Sequence, residues 1–310
     1  MRSFRIGTRG SPLALAQAHE TVARLTAAQG WTPGEATARL EIVVIKTSGD
    51  RITDRPLSEA GGKGLFVKEL EEALFDGRVD MAVHSMKDVP GVLPDGLVIG
   101  AALPREDARD ALIGAASVEA LAQGARVGTT SPRRAAALLN LRPDLRIVLF
   151  RGNVQTRLDK LARGEADATL LAMAGLNRLN LRPALAPLAV DAFLPAAGQG
   201  VVGLECRSGD GETLALAASI NDVPTSVALA AERACLAALD GSCRSAIAIH
   251  AAPQPDGTLD LSAAVYALDG SRCETARVVL PAAMQADAAF SAGHALGSAL
   301  RGRAAALLNL

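Results

Sequence analysis

Aromatic side chains are scarce in this chain: one Trp, one Tyr and six Phe make up 3% of its 310 residues. That scarcity argues against a base-stacking platform for nucleic acid and against the aromatic belts of membrane proteins. An excess of charge of either sign is also missing. The 32 Lys and Arg nearly balance the 33 Asp and Glu, for a net charge of -1, so no overall field draws the chain to nucleic acid or to an anionic membrane. No uninterrupted apolar run approaches the roughly 20 residues of a transmembrane helix. The apolar patch from Pro12 to Ala16 is too short for the core of a signal peptide. The cysteines at 206, 235, 243 and 273 form no C-x-x-C pair and show no metal-ligand spacing with His19, His84, His250 or His294. The expectation is a cytoplasmic protein with reduced thiols, no metal, no nucleic-acid partner and no membrane.

What is present is an ordinary globular composition, 49% hydrophobic and 21% charged, long enough for two or three domains. Strand-like runs such as "LEIVVIKT" (40–47), "VDMAVHS" (79–85) and "LRIVLF" (145–150) alternate with helical runs such as "FVKELEEALFDG" (66–77). The alternation predicts an α/β architecture with mainly parallel sheets. Two pieces recur in the same order. "RIGTRGSPLALAQA" from Arg5 resembles "RVGTTSPRRAAALL" from Arg126, and "LEEALFDGRVDMAVHS" (70–85) resembles "LDKLARGEADATLLA" (158–172). Two similarly built α/β domains follow from that order. The segment 47–64, polar and Gly-rich, reads as a long loop of the lid or binding type. From about Asn221 a helix and alternating strands predict a smaller α+β domain with an antiparallel sheet.

The recurring Gly-Thr-Ser-Pro turns raise a physical problem. Ser11 and Ser131 are placed to cap helices that begin at Pro12 and Pro132. Arg133 and Arg134 then fall in a first helical turn, where the backbone already carries about half a positive charge. With Arg9 at the matching turn, they point to anion sites that face each other across a cleft. Thr129 belongs to the same turn, and Arg151, Arg157 and Arg178 follow strand ends, where ligands of open α/β sheets bind. On this reading the ligand supplies the missing negative charge, so Arg134→Leu would harm catalysis more than folding. In "AVHSMKDVP" a strand runs out into Ser85, Lys87 and Asp88, an acid and a base beside that cleft. Cys243 sits on a turn and Cys235 inside an Ala/Leu helix; from the residues alone, a structural thiol is the reading for either. These residues leave open an enzyme or a non-catalytic two-lobed binding protein for a polycarboxylate.

The segments "IGTRGSPLALAQA", "IKTSGD", "GGKGLFVKELEEAL", "AVHSMKDVP", "PREDARDALI", "VGTTSPRRAA", "RGNVQTRL", "LPAAGQGVVGLECR" and "AERACLAALDGSC" together resemble the porphobilinogen deaminase (hydroxymethylbilane synthase) family over nearly the whole chain. The resemblance implies a monomeric transferase of tetrapyrrole (heme and porphyrin) biosynthesis. It would condense four porphobilinogen molecules head to tail with loss of ammonia, primed on a dipyrromethane cofactor bound by a thioether. By resemblance Cys243 carries the cofactor, Asp88 is the catalytic carboxylate and Phe66 stacks on a pyrrole ring. Arg9, Ser11, Ser85, Lys87, Thr129, Ser131, Arg133, Arg134, Arg151, Arg157 and Arg178 are implied binders of acetate and propionate groups. The implied fold has two similar periplasmic-binding-protein-like (type II) domains with the active-site cleft between them, plus the smaller C-terminal domain. Its division would be 1–102 with 198–219, 103–197, and 220–310, with "AAGQG" in the hinge. The chain departs from the family pattern at Cys235, usually apolar, and at Ser245 and Ala246, usually aliphatic and proline.

Overall fold

A computed structural model describes residues 2–51, 64–240 and 245–308. The chain opens with β1 (Phe4–Thr8), α1 (Pro12–Ala28), α2 (Pro33–Arg39), β2 (Leu40–Val44), a helical turn α3 (Ser48–Arg51), α4 (Lys68–Phe75), β3 (Met81–Ser85) and β4 (Leu97–Ala102). It continues with β5 (Asp110–Ile113), β6 (Arg126–Gly128), α5 (Pro132–Leu141), β7 (Arg146–Val148), α6 (Val154–Ala162), β8 (Ala168–Ala172), α7 (Met173–Arg178) and β9 (Leu185–Pro187). After them come β10 (Val202–Arg207), α8 (Gly211–Ala218), α9 (Val223–Ala238), β11 (Ile247–Pro253), β12 (Leu259–Tyr266), β13 (Cys273–Leu280) and α10 (Ala286–Leu308). Of the expected loop 47–64, residues 48–51 are helical and 52–63 lie outside the described residues.

The two recurring sequence pieces fold alike. The first sheet has the order β2-β1-β3-β10-β4 and the second the order β7-β6-β8-β5-β9, so each repeat contributes its strands in the same arrangement. The Ser11 hydroxyl oxygen accepts from the Ala14 N–H at 3.3 Å, and that of Ser131 from the Arg134 N–H at 3.4 Å. In both, Pro occupies the start of the helix, where its missing N–H leaves nothing unpaired. The far ends of the sheets match as well. Asp80 accepts from the backbone N–H of Arg5 at 2.8 Å, and Asp167 from that of Arg126 at 2.7 Å. Each of these aspartates also pairs with the guanidinium of the same arginine.

The sheets are mixed rather than simply parallel, because β10 and β5 run against their neighbours. Both strands begin where the chain has just crossed from one lobe to the other. They therefore start at the end of the sheet where the parallel strands finish. Strand direction leaves no mark on a short apolar run, which reads the same either way. The crossing places Asp110, the first residue of β5, beside the N-terminus of α5.

The C-terminal domain is the expected antiparallel sheet, β11-β12-β13, packed with α9 and α10. These helices approach until a Cβ at Gly297 would stand 2.6 Å from the Cys235 carbonyl oxygen, a distance that only glycine permits. Cys235 is fully buried there as a core residue. Ala246, where the family pattern has proline, is also buried, and its carbonyl accepts from the Tyr266 N–H at 2.9 Å.

Candidate active site

One wall of the cleft comes from the first lobe: Arg9, Ser11, Leu13, Gln17, Phe66, His84, Ser85, Lys87 and Asp88 line a common pocket. The β1 turn delivers Arg9 and Ser11, and the end of β3 delivers Ser85 before a single 3-10 turn, Met86–Asp88. Gln17 and Ser85 exchange hydrogen bonds, Nε2 to Oγ at 2.8 Å and Oγ to Oε1 at 3.1 Å. Arg9 lies 3.8 Å from Asp88 and places its guanidinium 4.0 Å from the centre of the Phe66 ring. Such a cation–π contact contributes about 0.5–2 kcal/mol. Phe66 also packs on the backbone of Gly49, where a Cβ would overlap the ring.

The second lobe sets its arginines against that wall. Lys87 reaches into the field of Arg134 and Arg133, and Arg157 into that of Arg134, Arg151 and Asp88. Lys87 opens onto the cleft solvent, yet protein surrounds the cleft. Burial first, and then Arg134, pull its ammonium down to about 8. Burial, Arg134 and Arg151 likewise lower Arg157 to about 10. Arg157 also donates from Nε to the Gly152 carbonyl at 3.0 Å.

Arg133 and Arg134 share one negative charge from inside the protein, which the sequence expectation had left wholly to the ligand. Asp110 accepts from Arg133 Nη2 at 2.7 Å and from Arg134 Nη2 at 2.6 Å, and all three residues are buried. Burial would push the Asp110 carboxyl up, but the pull of the two guanidinium groups outweighs it and holds the acid well below the usual carboxylate range. Arg133 turns its Nη1 to the Leu194 carbonyl and rests over Phe193, so it belongs to the lobe interior. Arg134 donates further to the Leu170 carbonyl and stays within electrostatic reach of Lys87 and Arg157. Thr129 is buried, its hydroxyl oxygen accepting from the Ser131 N–H at 3.2 Å, so it shapes the turn.

Arg178 also has partners within the protein. It donates from Nε to Glu20 at 3.0 Å and from both Nη atoms to the Gly200 carbonyl at 3.2 Å, at the seam between lobes. Arg151 lies in the field of Arg157, and Cys243 falls outside the described residues. Sequence reasoning missed Gln17, His84, Asp110 and Glu20. Gln17 carried a signal, a polar residue three or four positions from Leu13 and Ala14 on one helix face. Asp110 carried none, because its partners lie more than twenty residues away.

Both crossings between lobes are tied to the C-terminal domain by one carboxylate. Glu232 of α9 accepts from Arg105 at 2.6 Å on the outgoing strand and from the Gly198 N–H at 2.6 Å on the return. Gln199 carries the network onward, donating to Asp110 at 3.0 Å. A buried polar path thus runs from the C-terminal domain through the hinge to Arg134.

A cleft walled by cations from two similar α/β lobes, with a carboxylate among them, defines a two-lobed protein built for a polyanionic ligand. The comparisons narrow that class. A family model described as porphobilinogen deaminase, dipyromethane cofactor binding domain, matches residues 4–215, and one described as the porphobilinogen deaminase C-terminal domain matches residues 227–302. Porphobilinogen deaminase of Paracoccus denitrificans is 53% identical over 98% of this chain and 95% of its own length. That of Sphingopyxis alaskensis is 53% identical over 86% of this chain and 85% of its own. The chloroplastic enzyme of Oryza sativa is 51% identical over 88% of this chain and 77% of its own. The chain belongs to the porphobilinogen deaminase family, transferases of porphyrin biosynthesis with a dipyrromethane cofactor.

Proposed function

We propose that this chain condenses four porphobilinogen molecules head to tail into hydroxymethylbilane, releasing one ammonia at each addition, with its dipyrromethane cofactor joined to Cys243. The observation that carries this reading is the crowding of cations at the cleft: Lys87 and Arg157 both lie in the field of Asp88, and Arg134 acts on both of them and Arg151 on Arg157. Like charges so placed repel one another, and a ligand bearing two carboxylates on every ring relieves that repulsion. The donor set therefore suits a dipyrromethane. When bound, that group supplies two linked pyrroles as a primer.

In this reading Arg9, Ser11, Ser85, Lys87, Ser131, Arg134, Arg151 and Arg157 receive acetate and propionate groups. Asp88 faces the pyrrole nitrogen of the incoming substrate and stabilises the positive charge that develops as the aminomethyl nitrogen leaves. Arg9 holds the Asp88 carboxylate in place and lies over Phe66, which offers its ring to a pyrrole. Asp110 and Gln199 position Arg134 without touching substrate. The chain is divided as 1–102 with 198–219, 103–197, and 220–310, and acts as a cytoplasmic monomer. Intact mass spectrometry tests the reading. The purified protein is expected to carry the added mass of a dipyrromethane, absent from Cys243→Ser, and to release ammonia from porphobilinogen. An unmodified mass with no ammonia would overturn it.

A further inference from the structure

At the seam between the lobes, α1 of the first packs against α7 of the second, with Leu13 close to Gly175. One turn further along α7, Arg178 meets Glu20, which lies two turns beyond Leu13 on α1. The Arg178 side chain has 8% of its surface exposed and that of Glu20 27%. Glu20 is already oriented from its own helix, since Arg24 donates to Oε1 at 3.1 and 3.0 Å while Arg178 takes Oε2. Arg178 spends its two Nη groups on the Gly200 carbonyl of the return crossing. Its neighbour Asn177 donates to Glu106 on the outgoing crossing at 2.8 Å. The last turn of α7 thus grips both crossings and the opposite lobe together.

We propose that Glu20 is a positioning residue for the cleft, paired with Arg178 as an interlobe latch that holds the lobe separation in which Arg157 and Arg134 of one lobe come near Asp88 and Lys87 of the other. The proposal rests on the condensation taking place in that cleft. A tertiary contact between rigid bodies, not a local helix need, explains the pair, because neither residue requires the other for its own helix. Removing the latch lowers the population of the binding-competent arrangement, and apparent affinity falls by that fraction. A partly exposed ion pair of this kind corresponds to about a twofold to fivefold effect.

The test uses the cofactor-loaded full chain with Glu20→Gln, Arg178→Gln and the double variant. The Glu20→Gln protein is expected to raise KM for porphobilinogen about twofold to fivefold, with kcat little changed. Small-angle scattering should show a wider distribution of lobe separations, and amide exchange at residues 198–201 should quicken. The double variant should be no worse than the more affected single one, as for residues acting through one contact. Unchanged KM, scattering and hinge exchange in Glu20→Gln would overturn the latch, as would a lowered melting temperature with KM unmoved, or losses that simply add. If the wild-type chain releases no ammonia, the functional reading fails, while scattering and exchange still decide the latch.

Discussion

Arg134 donates twice to one carboxylate oxygen of Asp110, at 2.6 and 3.1 Å, while Arg133 takes the other oxygen at 2.7 Å. That arrangement answers why two cations stand at the positive end of α5. A buried anion bridges them and offsets part of the positive charge at the helix N-terminus before any ligand arrives.

Asp110→Asn should therefore be among the most damaging single changes in the second lobe. It strands two buried guanidinium groups, at about 3–5 kcal/mol. Thermal or denaturant melting should show the loss, and a variant as stable as wild type would mean the arginines find other partners. Arg134→Leu should cost stability as well as activity, because it leaves Asp110 with Arg133 and Gln199.

Asp88→Ala should keep the fold and lose about 100- to 1000-fold in kcat, the scale for removing one preorganised stabilising charge. The side chain has 33% of its surface exposed, and its contact with Arg9 at 3.8 Å is long, so folding depends on it little. Steady-state ammonia release checks this, and near-normal turnover would displace Asp88 from its assigned role.

Lys87 gives the cleft a pH limit. Its native pKa is lowered to about 8, so the ammonium that receives carboxylates is present below that pH and lost above it. The ratio kcat/KM, which reports the free enzyme, should fall as pH rises through about 8. Lys87→Arg should move that limb to higher pH. An identical alkaline limb in the variant would assign it to another group.

Thiol chemistry separates the cysteines. Cys206 and Cys235 are fully buried, and burial pushes both thiols up to about 12. Alkylation of the folded protein at pH 8 should leave both unmodified until denaturant is added. Peptide mapping that finds Cys235 labelled in the native protein would reopen the choice of Cys243 as the attachment point.

Much of the fold was legible because repeated local chemistry repeats itself in space. The two Ser-Pro caps and the two Gly-acid-strand junctions lie at equivalent places in the two sheets. The wall made by Arg9, Ser11, Ser85, Lys87 and Asp88 was legible for the same reason, since each residue lies within a few positions of a strand end. The internal partners of Arg133 and Arg178 left no mark on the sequence because they come from distant segments. Asp110 arrives through the crossing between lobes, and Glu20 and Gly200 meet Arg178 only at the seam.

The sequence by itself determined the strand–turn–helix units, the caps, the two-fold repetition and the cluster of cations near strand ends. Those depend on residues within a few positions of one another. Tertiary structure alone decided which cations are bonded to the protein's own carboxylates. A charge is claimed by whichever partner lies nearest after folding. For Arg133 and Arg178 those partners are 23 and 158 residues away along the chain.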